Sequence, residues 1–300
     1  MVEHIQLTTR SPQRHLQFQA SLEARQRKSA DRLHRLLRQC SCVSWYGKER
    51  RDLTPSCTEL AFGEPVKSTL AVTNTVRLQP MKNPWSALPE KSPYVLASDA
   101  ALIEAFNARS TERHKFDISL LPEPFFGSLA ASVVVLNLNP GWSPDDAAVH
   151  AKPEFCRMSR LSLQHQLLPY PFLHLQPDGD TPGSRWWRHR TRELAEDVGF
   201  QAVARGLACV QYAPYHSKEY TQSSPLLPSQ EYGFALVRQA MARNAEIVVM
   251  RSHSLWVGAI PELATYGHVH RGSNPRAPFL SRGNLKSSYA PISRRLRSDA

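Results

Sequence analysis

The segment Ala131-Ser132-Val133-Val134-Val135-Leu136-Asn137-Leu138 is apolar on both of its faces and halts at Asn139-Pro140-Gly141-Trp142. A strand with valine at three consecutive positions has no side to turn to water, which marks a parallel strand covered on both faces. Three more short apolar runs follow, at residues 206–212 (GLACVQY), 245–250 (AEIVVM) and, more weakly, 268–271. Helical periodicity fills the intervals, over residues 153–165, 184–198 and 229–243, with a short helix over 254–260. Upstream, Ser98-Asp99 caps a helix through residues 100–108 with Leu102, Ile103 and Phe106 inward. Leu120-Leu121-Pro122-Glu123-Pro124-Phe125 is a proline-stiffened approach to the first strand. Strands alternating with helices predict right-handed βαβ units. The fold class is therefore α/β, three layers (α/β/α) around a central, mostly parallel four-stranded sheet.

In such sheets a ligand sits beyond the carboxyl ends of the strands. The segments to inspect are those just after each strand: Asn139-Pro140-Gly141-Trp142-Ser143, Ala213-Pro214-Tyr215-His216-Ser217-Lys218, Arg251-Ser252-His253 and Gly272-Ser273-Asn274-Pro275-Arg276. All four are polar.

Residues 1–80 read differently. One helical stretch spans about residues 22–37, and no sustained period follows it. A lone amphipathic helix is marginal in water, so a weakly ordered basic extension is expected there. A sharper expectation is that the natural chain starts at Met81. Residues 81–300 form one domain ending in a basic tail that holds Arg294, Arg295 and Arg297. The formal charge of +11 divides about evenly: residues 1–80 carry 13 Lys and Arg against 7 Asp and Glu. The folded part is only mildly basic, which permits an anionic partner without requiring one. No apolar run reaches 18 residues and the amino terminus carries no hydrophobic signal, so a soluble, cytoplasmic monomer away from membranes is expected.

At the post-strand segments the chain resembles the uracil-DNA glycosylase superfamily, nearest its mismatch-specific thymine/uracil branch. That branch has Gly-Ile-Asn-Pro-Gly after its first core strand, where this chain has Asn137-Leu138-Asn139-Pro140-Gly141. Its Pro-Gly-Asn-Arg-Phe-Trp segment opens a helix ending near Ala-Gly-Phe. Here Pro182-Gly183-Ser184-Arg185-Trp186-Trp187 opens one ending at Val198-Gly199-Phe200. The family's base-stacking aromatic is matched by Phe172, and its His/Asn-Pro-Ser-x-Leu-Ser loop by the segment from Asn274 to Ser281. The likeness covers roughly residues 132–285. The chain departs from it at Asn137 (Gly in the family), Ser184 (Asn), Arg276 (Ser) and by two extra residues in the last loop.

The resemblance implies hydrolysis of the N-glycosidic bond of an extruded uracil or related damaged base in DNA, with no metal and no cofactor. Base extrusion is needed because the bond is out of reach inside the stack. Asn139 would hold the attacking water through its side-chain oxygen, with Asn274 as the second catalytic residue; otherwise Asn139 caps a turn. Asn137, Pro140, Gly141, Trp142, Phe172, Trp186 and Gln211 would form the base pocket, Gln211 being the one amide near the family's base-reader position. Gly141 stands where uracil-specific enzymes carry a tyrosine that excludes the thymine methyl; otherwise it serves a positive φ. Arg185, Pro275, Arg276, Ser281 and Arg282 would contact DNA. Asn139, Phe172 and Asn274 are expected around one slot. A non-catalytic nucleic-acid-binding relative and a hydrolase of free nucleosides or nucleotides remain as alternatives. Metal readings of Cys40, Cys42 and Cys57, of the His268 and His270 pair, and of Asp145-Asp146 rank below thiol, surface and helix-start readings.

Overall fold

A computed structural model describes residues 81–166 and 168–298; the cysteine cluster and the basic extension lie outside them. Five strands form one mixed sheet in the order β1-β3-β2-β4-β5. They are β1 (Phe125–Gly127), β2 (Val133–Asn137), β3 (Leu207–Gln211), β4 (Glu246–Val249) and β5 (Val269–Arg271). β3, β2, β4 and β5 run parallel in that order, and β1 is antiparallel to β3.

The helices are α1 (Ala97–Arg109), α2 (Asp146–His150), α3 (Pro153–Leu163), α4 (Pro182–Val198), α5 (Phe200–Gly206), α6 (Gln230–Ala242), α7 (His253–Ala259), α8 (Arg282–Leu285) and α9 (Tyr289–Ser298). Alternate strand residues go to opposite faces. Val134, Leu136, Ala208, Val210, Ile247 and Val249 join Ile103 and Phe106 of α1, Phe234 and Val237 of α6 and Trp256 of α7. Val133, Val135, Leu207, Cys209 and Val248 join Trp187 and Leu194 of α4, Val203 of α5, and Ile292 and Leu296 of α9. Helices therefore cover both faces, as the valine run requires.

Three expectations are corrected. The sheet has a fifth, antiparallel edge strand: Phe126 turns to one face and Phe125 to the other, and the Gln211 N–H bonds the Pro124 carbonyl at 2.8 Å. Three residues after Pro124 are too few for alternation to register in the sequence. The basic tail is helix α9, with Tyr289, Ile292, Ser293 and Leu296 buried along one stripe and the arginines on the other. α5 runs through Gly206 into β3, so that strand starts one residue later than its apolar run.

No helix among the described residues is long and apolar enough to cross a membrane.

β1 leaves its pairing with β3 at Gly127, where φ is +106° and an added Cβ would lie 2.5 Å from the Ala208 Cα. Gly127→Ala is expected to destabilise the fold by about 2–4 kcal/mol, through φ strain and the clash together. The denaturant midpoint measures this; an unchanged midpoint would show that the close β1–β3 approach is not maintained.

Candidate active site

Beyond the carboxyl ends of β2, β3 and β4 lies a cavity of ≈ 310 Å³, at the small end for ligand sites. Parallel registry brings Asn137, the last residue of β2, beside Gln211, the last of β3, and both line it. The strand order explains the location. From β2 the chain passes to β3 on one side and then to β4 on the other, and a crevice opens where the loops diverge.

The loop after β2 forms one wall. Asn139, Pro140, Gly141 and Trp142 all line the cavity. Asn139 is anchored through its amide nitrogen, which donates to the Ser217 carbonyl (3.2 Å), to Ser217 Oγ (3.0 Å) and to the Pro140 carbonyl (2.8 Å). Its carbonyl oxygen has no protein partner among the described residues. Gly141 does not take a positive φ, and a Cβ there meets nothing within 4 Å. The conformational reading of this glycine is thereby corrected: the space beside it is open. Trp142 donates from Nε1 to Asp117 (3.1 Å), while Lys218 Nζ lies 4.2 Å from its ring centre.

The opposite wall is the amino end of α4, where Thr181, Pro182, Gly183 and Trp186 line the cavity. Thr181 caps the helix, accepting from the Ser184 N–H at 3.0 Å. The start of a 17-residue helix carries partial positive charge into the site, and Arg251 adds a half-buried guanidinium. Gln211 Oε1 is buried with no hydrogen-bond partner, an acceptor facing a cavity without a donor.

Several expected site residues are not brought here. Phe172 is 0% exposed, locked edge-on against Phe126 and Trp187, and cannot stack on a ligand in this arrangement; Trp142 and Trp186 are the aromatics on the cavity. Asn274, Pro275, Arg276, Ser281 and Arg282 do not line it. Asn274 Oδ1 accepts from the Arg276 and Ala277 N–H groups of its own turn. Ser281 caps α8, and Arg282 is tied to Glu193 at 2.9 Å and to Asp197. Asn139, Phe172 and Asn274 therefore do not share one slot. Arg185 is exposed and bridges Asp180 (2.7 Å) and Asp145 (3.6 Å), fastening α4 to the loop after β2. Asp146 begins α2 and accepts the Ser143 N–H at 2.6 Å, a helix-start role. His268 and His270 both contact the buried Glu246.

The cavity also holds four buried groups that the sequence reading left unused: Glu123, His150, His174 and His216. His174 Nε2–H donates to Glu123 Oε2 at 2.9 Å. His216 Nδ1–H donates to the Gly141 carbonyl at 2.6 Å, leaving Nε2 buried, unpartnered and 3.9 Å from Glu123 Oε1. His150 Nδ1 accepts the Leu121 N–H at 3.0 Å. Burial alone would raise the Glu123 pKa, but His174 and then His216 outweigh it and hold it at about 2. Burial pushes His150 down to about 4. These four come from four separate segments, so no local spacing announces them. The one available signal is Glu123, a lone charge between prolines in an apolar stretch.

Comparison with protein-family models, with curated proteins and with solved structures returns no match.

The shifted groups set the acid response. His150 and His165 stay neutral in the fold down to about 4, whereas the unfolded chain takes up those protons from about pH 6.5. Stability therefore falls with pH through that window. Glu123 adds a second loss from about 4.5 down to about 2, because its folded pKa lies below its unfolded one. Unfolding free energies across pH 7 to 3 measure this, and Glu123→Gln is expected to remove the lower step. A stability curve flat between pH 6.5 and 4 would contradict the buried neutral imidazoles.

Proposed function

We propose that the chain is a hydrolase of N-glycosidic bonds, and that uracil or a related damaged base extruded from DNA is the first substrate to test. The observation carrying this reading is the convergence of Asn139, Gln211, Trp142 and Trp186 on one cavity at the strand ends. Departure of a base builds negative charge on its ring, and the α4 amino end and Arg251 oppose that charge. The orphan acceptor of Gln211 suits an imide N–H such as that of uracil. A tryptophan face supplies stacking of about 1–3 kcal/mol per base. The unpartnered Asn139 oxygen is an orienting acceptor for water or for a ribose hydroxyl, not a base.

A second reading, hydrolysis of free nucleosides or nucleotides, is favoured by one observation: in the Asn274–Arg282 loop the Asn274 side chain is spent on its own turn and Arg282 on α4, while Arg276 stays exposed. A DNA clamp built from that loop would have to break the Arg282 pairs with Glu193 and Asp197 first.

Strand-cleavage assays on uracil-, hypoxanthine- and mismatch-containing oligonucleotides, run beside base release from free deoxyuridine, separate the readings. Oligonucleotide binding without release would instead favour a non-catalytic relative. Asn139→Ala is expected to lower kcat about 100-fold while the fold is retained, with a modest drop in thermal midpoint from the lost amide hydrogen bonds to Ser217 and Pro140; full activity would remove Asn139 from the mechanism. Gly141→Tyr, which has room at Cβ, is expected to retain uracil release and lose release of 5-substituted bases. Equal loss of both would remove Gly141 as the selectivity position.

A further inference from the structure

We infer that Glu123, His150 and His216 together hold the attacking water, and that His216 Nε2 is the general base that takes its proton. The inference deepens the hydrolase reading and rests on it. One nitrogen from each ring and one Glu123 oxygen lie within 4.8 Å of one another, a spacing that two kinds of occupant would fit: a metal ion or a water.

Hydrogen-bond polarity decides between them. The Leu121 N–H can only donate, so His150 Nδ1 is an acceptor and the proton of the neutral ring sits on Nε2. Burial keeps that ring neutral at ordinary pH. Neither nitrogen of His150 then has a free lone pair for a metal, because a ligating histidine must donate from its other nitrogen.

The three groups offer a complementary set instead: one donor, His150 Nε2–H, and two acceptors, the Glu123 oxygen and His216 Nε2. The Gly141 carbonyl holds the His216 proton on Nδ1, and His174 engages the other Glu123 oxygen. Water accepts once and donates twice, which matches the polarity of the set.

In the reaction, the water oxygen forms its bond to the anomeric carbon and one water proton passes to His216 Nε2. The electron pair of the C–N bond leaves with the base, which takes a proton from solvent while His216 returns its own to bulk water. The product pair is the free base and the sugar hydroxyl. Glu123, ionised and fully buried, stabilises the imidazolium that forms. The other ionisable groups facing His216 are His150 from α2, His174 ahead of α4, Asp146, and Asp117, whose backbone pairs with that of His216.

The test compares wild type with His216→Asn, which keeps a donor toward the Gly141 carbonyl and removes the base. Base release is followed from pH 5 to 9, with folding checked by thermal melt. The expected result is a kcat lower by about 10²–10⁴-fold, little change in KM, and loss of the acid limb that wild type shows. Histidine-detected ¹⁵N NMR of the unliganded protein should show His150 protonated at Nε2 and His216 at Nδ1, and zinc titration by calorimetry should show no stoichiometric site. Wild-type rate and pH profile in His216→Asn would overturn the inference and leave the hydrolase reading standing. Tight stoichiometric zinc binding abolished by His216→Asn would overturn it in favour of a metal. A folded wild type that releases no base from any substrate would remove the hydrolase reading and this step with it.

Discussion

A parallel strand buried on both faces meets polar surroundings only at its ends. β2 is such a strand, and its last residue, Asn137, carries the consequences. Its carbonyl accepts both the Tyr212 N–H (3.2 Å) and the Trp256 indole N–H (3.1 Å), so it is held from β3 and α7 at once. That fixes where the chain must leave the sheet, and with it the Asn139–Trp142 loop. The loop after β3 is then stitched to it by Asn139 to Ser217 and by His216 to the Gly141 carbonyl. The cavity wall is held in place because the carbonyls of Asn137, Leu138 and Gly141 find donors in neighbouring segments.

The second organising feature is an ionised carboxylate in the interior. A buried charge costs several kcal/mol unless it is paired and hydrogen-bonded. Glu123 meets that condition through His174 and the nearby His216, and the prolines on either side hold it at the sheet edge where β1 begins. The antiparallel edge strand thus helps place Glu123: the pairing of Phe125 with Val210 and the bond from the Glu123 N–H to the Pro214 carbonyl at 2.9 Å keep it against the ends of the parallel strands. The donors on the α4 wall and the acceptors on the β1 side give the cavity two electrical faces.

Periodicity placed the segments after the strands and was less informative about which side chains face the cavity. The Asn139 loop and Gln211 line the cavity because they directly follow buried strands, whose positions periodicity reveals. Phe172 precedes α4 by several irregular residues, and packing against Phe126 and Trp187 decided that it faces inward. The loop from Asn274 to Arg282 follows the short edge strand β5, which has a neighbouring strand on one side only, and the carboxylates of Glu193 and Asp197 on α4 hold Arg282 away from the cavity. The histidines were present in the sequence without a pattern, since His150, His174 and His216 enter from unrelated segments.

From the sequence alone came the α/β alternation, the four parallel strands, the helices α1, α3, α4, α6 and α7 to within a few residues and the post-strand loops, because each depends on side-chain periodicity and turn chemistry acting over a few residues. The tertiary structure decided the edge strand, the inward turn of Phe172, the ion pairs that occupy Arg282 and the meeting of Glu123 with three imidazoles. Those depend on which distant groups can satisfy one another's buried charge and hydrogen bonds, a condition that exists only once the chain has closed on itself.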